Sequence, residues 1–415
     1  MNNKKLLTYP KIFFTFIIVS VSLLSISYAI PNSFLKRNVE ISLNVIKEEK
    51  ISPKPFFNTK SCMLDNHTDR MMFQKAIIEN YIDNPLKAAM DVNDYARYWH
   101  GYQIFLRPLL TVMSYRSIRY LNMFILFILL CYSFSLIREK IGIGIALAFI
   151  ISAINVCIFI VPISLTFMSV FVITLISICI ILKSTENSDN QIYFSKYFFI
   201  TGILVSLFDL LTTPLITLGI PLLILLLSDL HNIEEIALKN QFLKIIKYSI
   251  LWVTGYASFW ASKWALGSII LQKNIFKDAL NTAGFRINGN YNYPLGNRTV
   301  AITQNFNLLS ISGDNLTPLL LSILVIIGIL FIFYRKPVNK MKNILPLLFV
   351  GAYPYVWLYV LASHSQIHAR FTYRNQMISI FSVISSIIYL IQWDEVVKTI
   401  KKVPHYLFKM VVKTK

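Results

Sequence analysis

The chain has 415 residues, 55% of them hydrophobic and only 14% charged, with a mean hydropathy of +0.58. That balance excludes an ordinary soluble domain and points to an all-α polytopic membrane protein. The net charge is +20, and in such a chain the excess is directed at anionic lipid headgroups or a phosphate-bearing substrate, not at nucleic acid.

The opening, "MNNKKLLTYPKIFFTFIIVSVSLLSISYAIP", joins a basic head to an apolar stretch from Ile12 to Ile30. That stretch exceeds the short core of a secretory signal and reads as an uncleaved first span. A long outer loop, 32–118, follows. Within it "CMLDNHTDRMM" (62–72) holds Asp65 and Asp69, four apart, a spacing that puts both on one face of a helix. A carboxylate at the membrane surface serves as general base toward a hydroxyl or helps hold a divalent cation. The same pair also suits a solvated first helical turn. Next, "YARYWHGY" crowds aromatics around Tyr95, Arg97 and His100; its rings suit either sugar stacking or a membrane interface. The stretch 102–122 places Arg107, Arg116 and Arg119 among apolar residues at helical spacing, as in one amphipathic helix lying on the outer leaflet.

Further apolar runs cover 120–137, 141–160, 163–182, 197–228, 248–270, 317–334, 343–363 and 377–393. The run 197–228 is too long for one helix and is interrupted by Asp209, Thr212, Thr213 and Pro214, so two helices meeting at a turn are expected. That makes about ten spans. Asp209 is costly in an apolar run unless it faces a polar cavity or caps the next helix. Lys263, near an outer helix end, is expected to snorkel to the surface. The short connectors carrying Arg138, Lys140, Lys183, Lys196, Lys239, Lys244, Lys247, Arg335 and Lys336, with the basic tail 394–415, belong on the cytoplasmic side together with both termini. The outer side then receives the loop 32–118, the break at Asp209, a loop at 271–316 and the segment 364–376. Residues 1–415 form a single integral membrane domain with an outer cap.

The segment "HSQIHARFTYR" (364–374) carries His364, His368, Arg370 and Arg374, each like pair four residues apart. Arginine grips phosphate oxygens in bidentate fashion, and histidine donates to a leaving oxygen. No HExxH pattern or third ligand accompanies the histidines, which argues against zinc. No nucleotide-binding loop is visible. Three of the four cysteines (Cys131, Cys157, Cys179) fall inside apolar runs and only Cys62 in a long loop, so no disulfide framework is expected.

One span, a long acidic outer loop, an interfacial helix, many further spans and a late outer His/Arg motif together resemble the membrane glycosyltransferases of the GT-C superfamily. Size and loop layout are similar to the serotype-converting transferases of enteric bacteria. The resemblance implies a multi-pass protein of the bacterial inner membrane with its active face in the periplasm. It would move glucose or another hexose from a polyprenyl-phosphate carrier to a surface polysaccharide such as O-antigen. Asp65 or Asp69 would be the base, and Arg370, Arg374, His364 and His368 would hold the donor phosphate. Tyr95, Arg97, His100 and Asp209 would line the acceptor path. The resemblance fixes no cofactor, and a divalent cation would be compatible. The superfamily's usual acidic pair is missing in that form, because Asp65 is followed by Asn66. An O-antigen polymerase or ligase, and a non-enzymatic flippase of lipid-linked sugar using the Asp209 break, are the alternative readings.

Overall fold

The computed structural model describes residues 8–56, 61–184, 190–232, 237–289, 296–312, 317–336 and 338–399. Lys4, Lys5 and most of the tail 394–415 lie outside them. Among the described residues the regular elements are helices, apart from one isolated bridge between Arg335 and Ile391.

Helix α1 (Thr8–Tyr28) leads into α2 (Asn32–Glu49), α3 (Asn66–Gln74), α4 (Pro85–Asp91) and α5 (Gln103–Leu110), which build the first outer loop. Then come α6 (Tyr115–Lys140), α7 (Ile143–Asn155), α8 (Leu165–Ser184), α9 (Asn190–Phe208), α10 (Ile216–Asn232) and α11 (Leu238–Leu271). Helices α12 (Ile275–Asn288) and α13 (Arg298–Phe306) form the second outer loop, followed by α14 (Thr317–Tyr334), α15 (Leu345–Gly351), α16 (Tyr353–Val360), α17 (Ala362–Ile367), α18 (Ala369–Thr372) and α19 (Met377–Leu390). Five segments are long and apolar enough to cross a membrane: Thr8–Tyr28, Tyr115–Lys140, Leu165–Ser184, Thr317–Tyr334 and Lys340–Val360. Ile143–Asn155, Tyr193–Phe208 and Ile216–Asn232 are shorter apolar helices.

The run 197–228 does divide, with α9 ending at Phe208 and α10 starting at Ile216. Every residue from Ile216 to Ser228 is buried, so α10 is apolar on all sides because it has neighbours on all sides. Helices α9 and α11 cross closely through two glycines. A Cβ on Gly202 would lie 2.2 Å from the Trp252 carbonyl oxygen, and one on Gly255 equally close to that of Phe199; small residues are what permit such backbone approach.

Four expectations are corrected. The stretch 102–122 is not one helix: α5 ends at Leu110, a turn intervenes, and α6 starts at Tyr115. Arg107 does not face the leaflet but is fully buried. Its Nε donates to the Ser27 carbonyl at 2.9 Å, Nη2 to Ile30 at 2.5 Å and Nη1 to Ala76, over the Tyr28 ring. It caps the free carbonyls at the end of α1 and ties the loop to that span. The amphipathic helix of the loop is instead α2, whose Glu48 and Glu49 pair with Arg116 and Arg119 of α6.

Lys263 does not snorkel. It is buried, and its Nζ donates to the carbonyls of Ala89 (3.3 Å) and Met90 (2.9 Å) at the end of α4, where a cation complements the helix dipole. The cysteine reading also fails, because Cys62 and Cys157 form a disulfide. The apolar run 141–160 gives out at Asn155; Cys157, at φ 51°, turns the chain into a 3-10 segment (Ile158–Ile163) and meets the loop that descends onto it. Finally, Asp65 and Asp69 do not share a helical face, since Asp65 is the N-cap of α3 and precedes its first turn.

Candidate functional site

The segment 364–376 spans α17, α18 and a 3-10 turn (Tyr373–Gln376) ahead of α19, and both outer loops dock on it. The Tyr373 hydroxyl lies 2.7 Å from the Ser61 carbonyl and 3.0 Å from that of Val156, beside both halves of the disulfide. Arg370 donates to Ser52 Oγ at 2.9 Å. From the second loop, Asn305 Nδ2 donates to the Ser365 carbonyl (2.9 Å), and Thr372 Oγ1 donates to Asn305 Oδ1 (2.7 Å). A motif rich in polar groups is thus partly a junction.

Its charged members part company. Arg370 is exposed, whereas Arg374 is fully buried, its guanidinium 4.0 Å from the Phe167 ring centroid and one Nη donating to the Arg370 carbonyl. Among the described residues its Nε and other Nη have no hydrogen-bond partner. Burial pulls its pKa down, offset in part by Asp65, whose charge reaches it. The first loop and the late motif therefore meet at Tyr373 on the Ser61 carbonyl and at Arg370 on Ser52.

The two acids of that loop have different surroundings. Asp65 is half-buried and accepts from the amides of His67 (3.2 Å) and Thr68 (3.4 Å) and from the Thr68 hydroxyl. Asp69 is fully buried. It accepts from the amides of Leu165 and Thr166, both at 3.0 Å, from Thr166 Oγ1 at 2.6 Å, from Ser164 Oγ at 3.3 Å, and from the Tyr115 hydroxyl. Burial raises its pKa, with those donors pulling the other way. It satisfies the free amides at the start of α8, a structural role that spends both of its oxygens on protein donors.

His364 Nε2 lies 2.8 Å from the Leu211 carbonyl, so that nitrogen carries the proton and Nδ1 accepts from Arg286. Burial, with Arg286 beside it, holds this imidazole well below its usual pKa, and burial brings His368 down to about 4. The two rings lie 4.9 Å apart. Both are neutral near pH 7, and His364 spends both nitrogens on protein partners, so it positions Arg286 and cannot protonate a leaving group.

His100 is likewise consumed, between the Tyr95 carbonyl (2.9 Å) and the Tyr102 hydroxyl (3.0 Å), with burial bringing its pKa down to about 3. Asp209 folds back on Thr212, whose amide lies 2.9 Å from Oδ2. Arg97 stays near the surface, paired with Asp278 at 3.1 Å and lying over the Tyr95 ring. No protein-family model, curated protein or solved structure matches this chain.

The sequence reading missed Arg286 and the aromatic wall it faces. Tyr256, Trp260 and Trp264 recur every four residues along α11, after Trp252, and line a cavity of about 290 Å³ with Tyr98, Trp357, Arg97 and Arg286. That i, i+4 stripe is visible in the sequence, but inside an apolar run it passes for ordinary span residues. Among the described residues no three His, Cys, Asp or Glu side chains gather in a way that would hold a metal ion.

Proposed function

We propose that this protein is a membrane glycosyltransferase that uses a polyprenyl-phosphate sugar on the outer face of a bacterial inner membrane. The observation that carries the reading is the docking of the first loop, which holds Asp65, on the late motif that holds Arg370 and Arg374, through Arg370 on Ser52 and Tyr373 on the Ser61 carbonyl. It supplies a half-exposed carboxylate, which also caps α3, and a buried guanidinium that among the described residues has no carboxylate in hydrogen-bond contact. Ten apolar segments fit ten crossings with both termini inside. The disulfide supports this sidedness, since such bonds persist in oxidising compartments.

In this scheme Asp65 takes the proton from an acceptor hydroxyl on a surface polysaccharide. The acceptor oxygen bonds to the anomeric carbon as the bond from that carbon to the carrier phosphate oxygen breaks. The polyprenyl phosphate leaves with the electron pair, and Arg374 and Arg370 offset the charge that develops on it. A groove of about 600 Å³ between α5, α6, α8 and the end of α9, walled by Phe105, Leu109, Ile125, Met168, Val172 and Phe208, is apolar enough for the carrier's chain.

The test is the repeat-unit mass of surface polysaccharide from a host lacking the gene, complemented with wild type or with Asp65→Asn. A gain of one hexose-sized increment with wild type alone supports the reading. Loss of chain length without a mass change points to a polymerase, and no change in either points to a flippase. Against the flippase stands Asp209, whose carboxylate is taken up by its own turn.

A further inference from the structure

The cavity between α11, α12, α16 and the first loop has a one-sided chemistry. Five buried polar atoms on its wall have no hydrogen-bond partner among the described residues: Arg97 Nε, Arg286 Nε, Trp260 Nε1, Trp357 Nε1 and the Tyr256 hydroxyl. Four of the five can only donate. Buried donors are ordinarily satisfied, and a cluster left open in one place needs an explanation. Among the described residues no carboxylate lines the cavity. Of the carboxylates that bear on its side chains, Asp278 already pairs with Arg97 Nη1 and Asp209 is engaged with Thr212, which leaves Arg286 as the cation of the cavity with no carboxylate partner among the described residues.

One side of the wall is aromatic, and Leu211, Ala279, Thr282, Ala283 and Leu361 complete it. Tyr98 meets Trp260 edge-on at 4.9 Å, and Tyr256, Trp260 and Trp264 follow one another at 6.0 and 5.9 Å. Flat faces of this kind receive the apolar face of a sugar ring. At about 290 Å³ the space is at the lower end of small-molecule sites, room for one ring and not for an oligosaccharide. Arg286 is held at the wall by His364, which carries no charge to compete with a ligand.

We infer that this cavity is a subsite for a single sugar ring bearing an anionic oxygen group, stacked on the aromatic stripe and paired with Arg286, with Arg97 Nε as a further donor. The choice of a sugar rests on the transferase reading; the demand for an acceptor-rich, anionic ligand rests on the cavity alone. The anionic group belongs either to the ring, as a carboxylate, or to the phosphate that joins the ring to its carrier.

The experiment is equilibrium binding to the purified full chain in lipid nanodiscs, read by tryptophan fluorescence and by dialysis with labelled ligand. The probes are glucuronate, glucose 1-phosphate, glucose and inorganic phosphate. At least one charged sugar is expected to bind about tenfold or more tightly than glucose, and Arg286→Gln to abolish that preference while Arg286→Lys retains part of it. Trp260→Leu should weaken every sugar, with an unchanged melting temperature showing that the variant is folded. Preference for glucuronate assigns the charge to the ring, and preference for glucose 1-phosphate assigns it to the carrier phosphate. Glucose binding as tightly as both charged sugars, inorganic phosphate competing as well as any sugar, or no binding at all would overturn the proposal. Sugar transfer that survives Arg286→Gln and Trp260→Leu unaltered removes the subsite and leaves the transferase standing. Charged-sugar binding without transfer keeps the subsite and removes the transferase.

Discussion

Asp69→Ala and Asp65→Asn separate a structural acid from a chemical one. Asp69→Ala leaves the buried amide of Thr166 and the part-buried amide of Leu165 without an acceptor, along with the hydroxyls of Thr166 and Ser164. An unsatisfied buried donor costs about 1–3 kcal/mol, so the Thr166 amide alone costs that much and the Leu165 amide adds a smaller amount, while the hydroxyls can turn to other acceptors. Asp65→Asn should be nearly silent in stability, because asparagine caps a helix about as well as aspartate and the site is half-exposed. The assay is thermal unfolding in detergent with yield from membranes, run beside the polysaccharide mass measurement. Asp69→Ala should melt several degrees lower and accumulate poorly; Asp65→Asn should melt like wild type and transfer no sugar. An Asp69→Ala protein that melts like wild type but has lost transfer would refute the capping assignment and return Asp69 to the chemistry.

Arg107→Met strips three carbonyls at the junction of α1 and the first loop of their donor, and should lower the melting temperature and open that loop to protease, read by limited proteolysis. The Cys62–Cys157 bond joins positions 95 residues apart; a reductant, or Cys62→Ser with Cys157→Ser, should cost about 2–4 kcal/mol, seen as a lower melting temperature and a shift between reducing and non-reducing gels. Acidification should destabilise the protein through His100 and His368, whose pKa values burial depresses to about 3 and about 4 from 6.5. Their contribution is complete above pH 6.5 and is lost as pH falls through that interval, because there the unfolded chain binds protons that the folded one refuses; His368→Gln should flatten part of that slope in melts run from pH 7.5 to 5. Gly255→Leu would drive a side chain into the Phe199 carbonyl and should abolish accumulation in the membrane, measured by immunoblot.

Helical class, the positions of most apolar segments and the split at Asp209 were legible from the sequence, because each depends on local composition over about twenty residues and on a breaker within it. The candidate site was legible only in part. Asp65, His368, Arg370 and Arg374 could be selected as polar groups out of place in an apolar chain, which is a local property. Whether such a group is open to a ligand or spent on the protein is not local. Asp69, His100 and His364 have residue types as suited to chemistry as their neighbours, yet their partners come from Leu165 and Thr166, from Tyr95 and Tyr102, and from Leu211 and Arg286.

The same limit hid Arg286 and the disulfide. Arg286 is one of three charged residues in α12, with Lys277 and Asp278, and acquires meaning only when α12 folds over the stripe on α11; Cys157 becomes a partner for Cys62 only because α7 stops short and the first loop descends onto it. Composition and periodicity record what each segment requires of its solvent, lipid or water. Hydrogen-bond satisfaction at a buried site depends on donors and acceptors brought together from distant parts of the chain, and only the tertiary packing decides which of them are left free for a ligand.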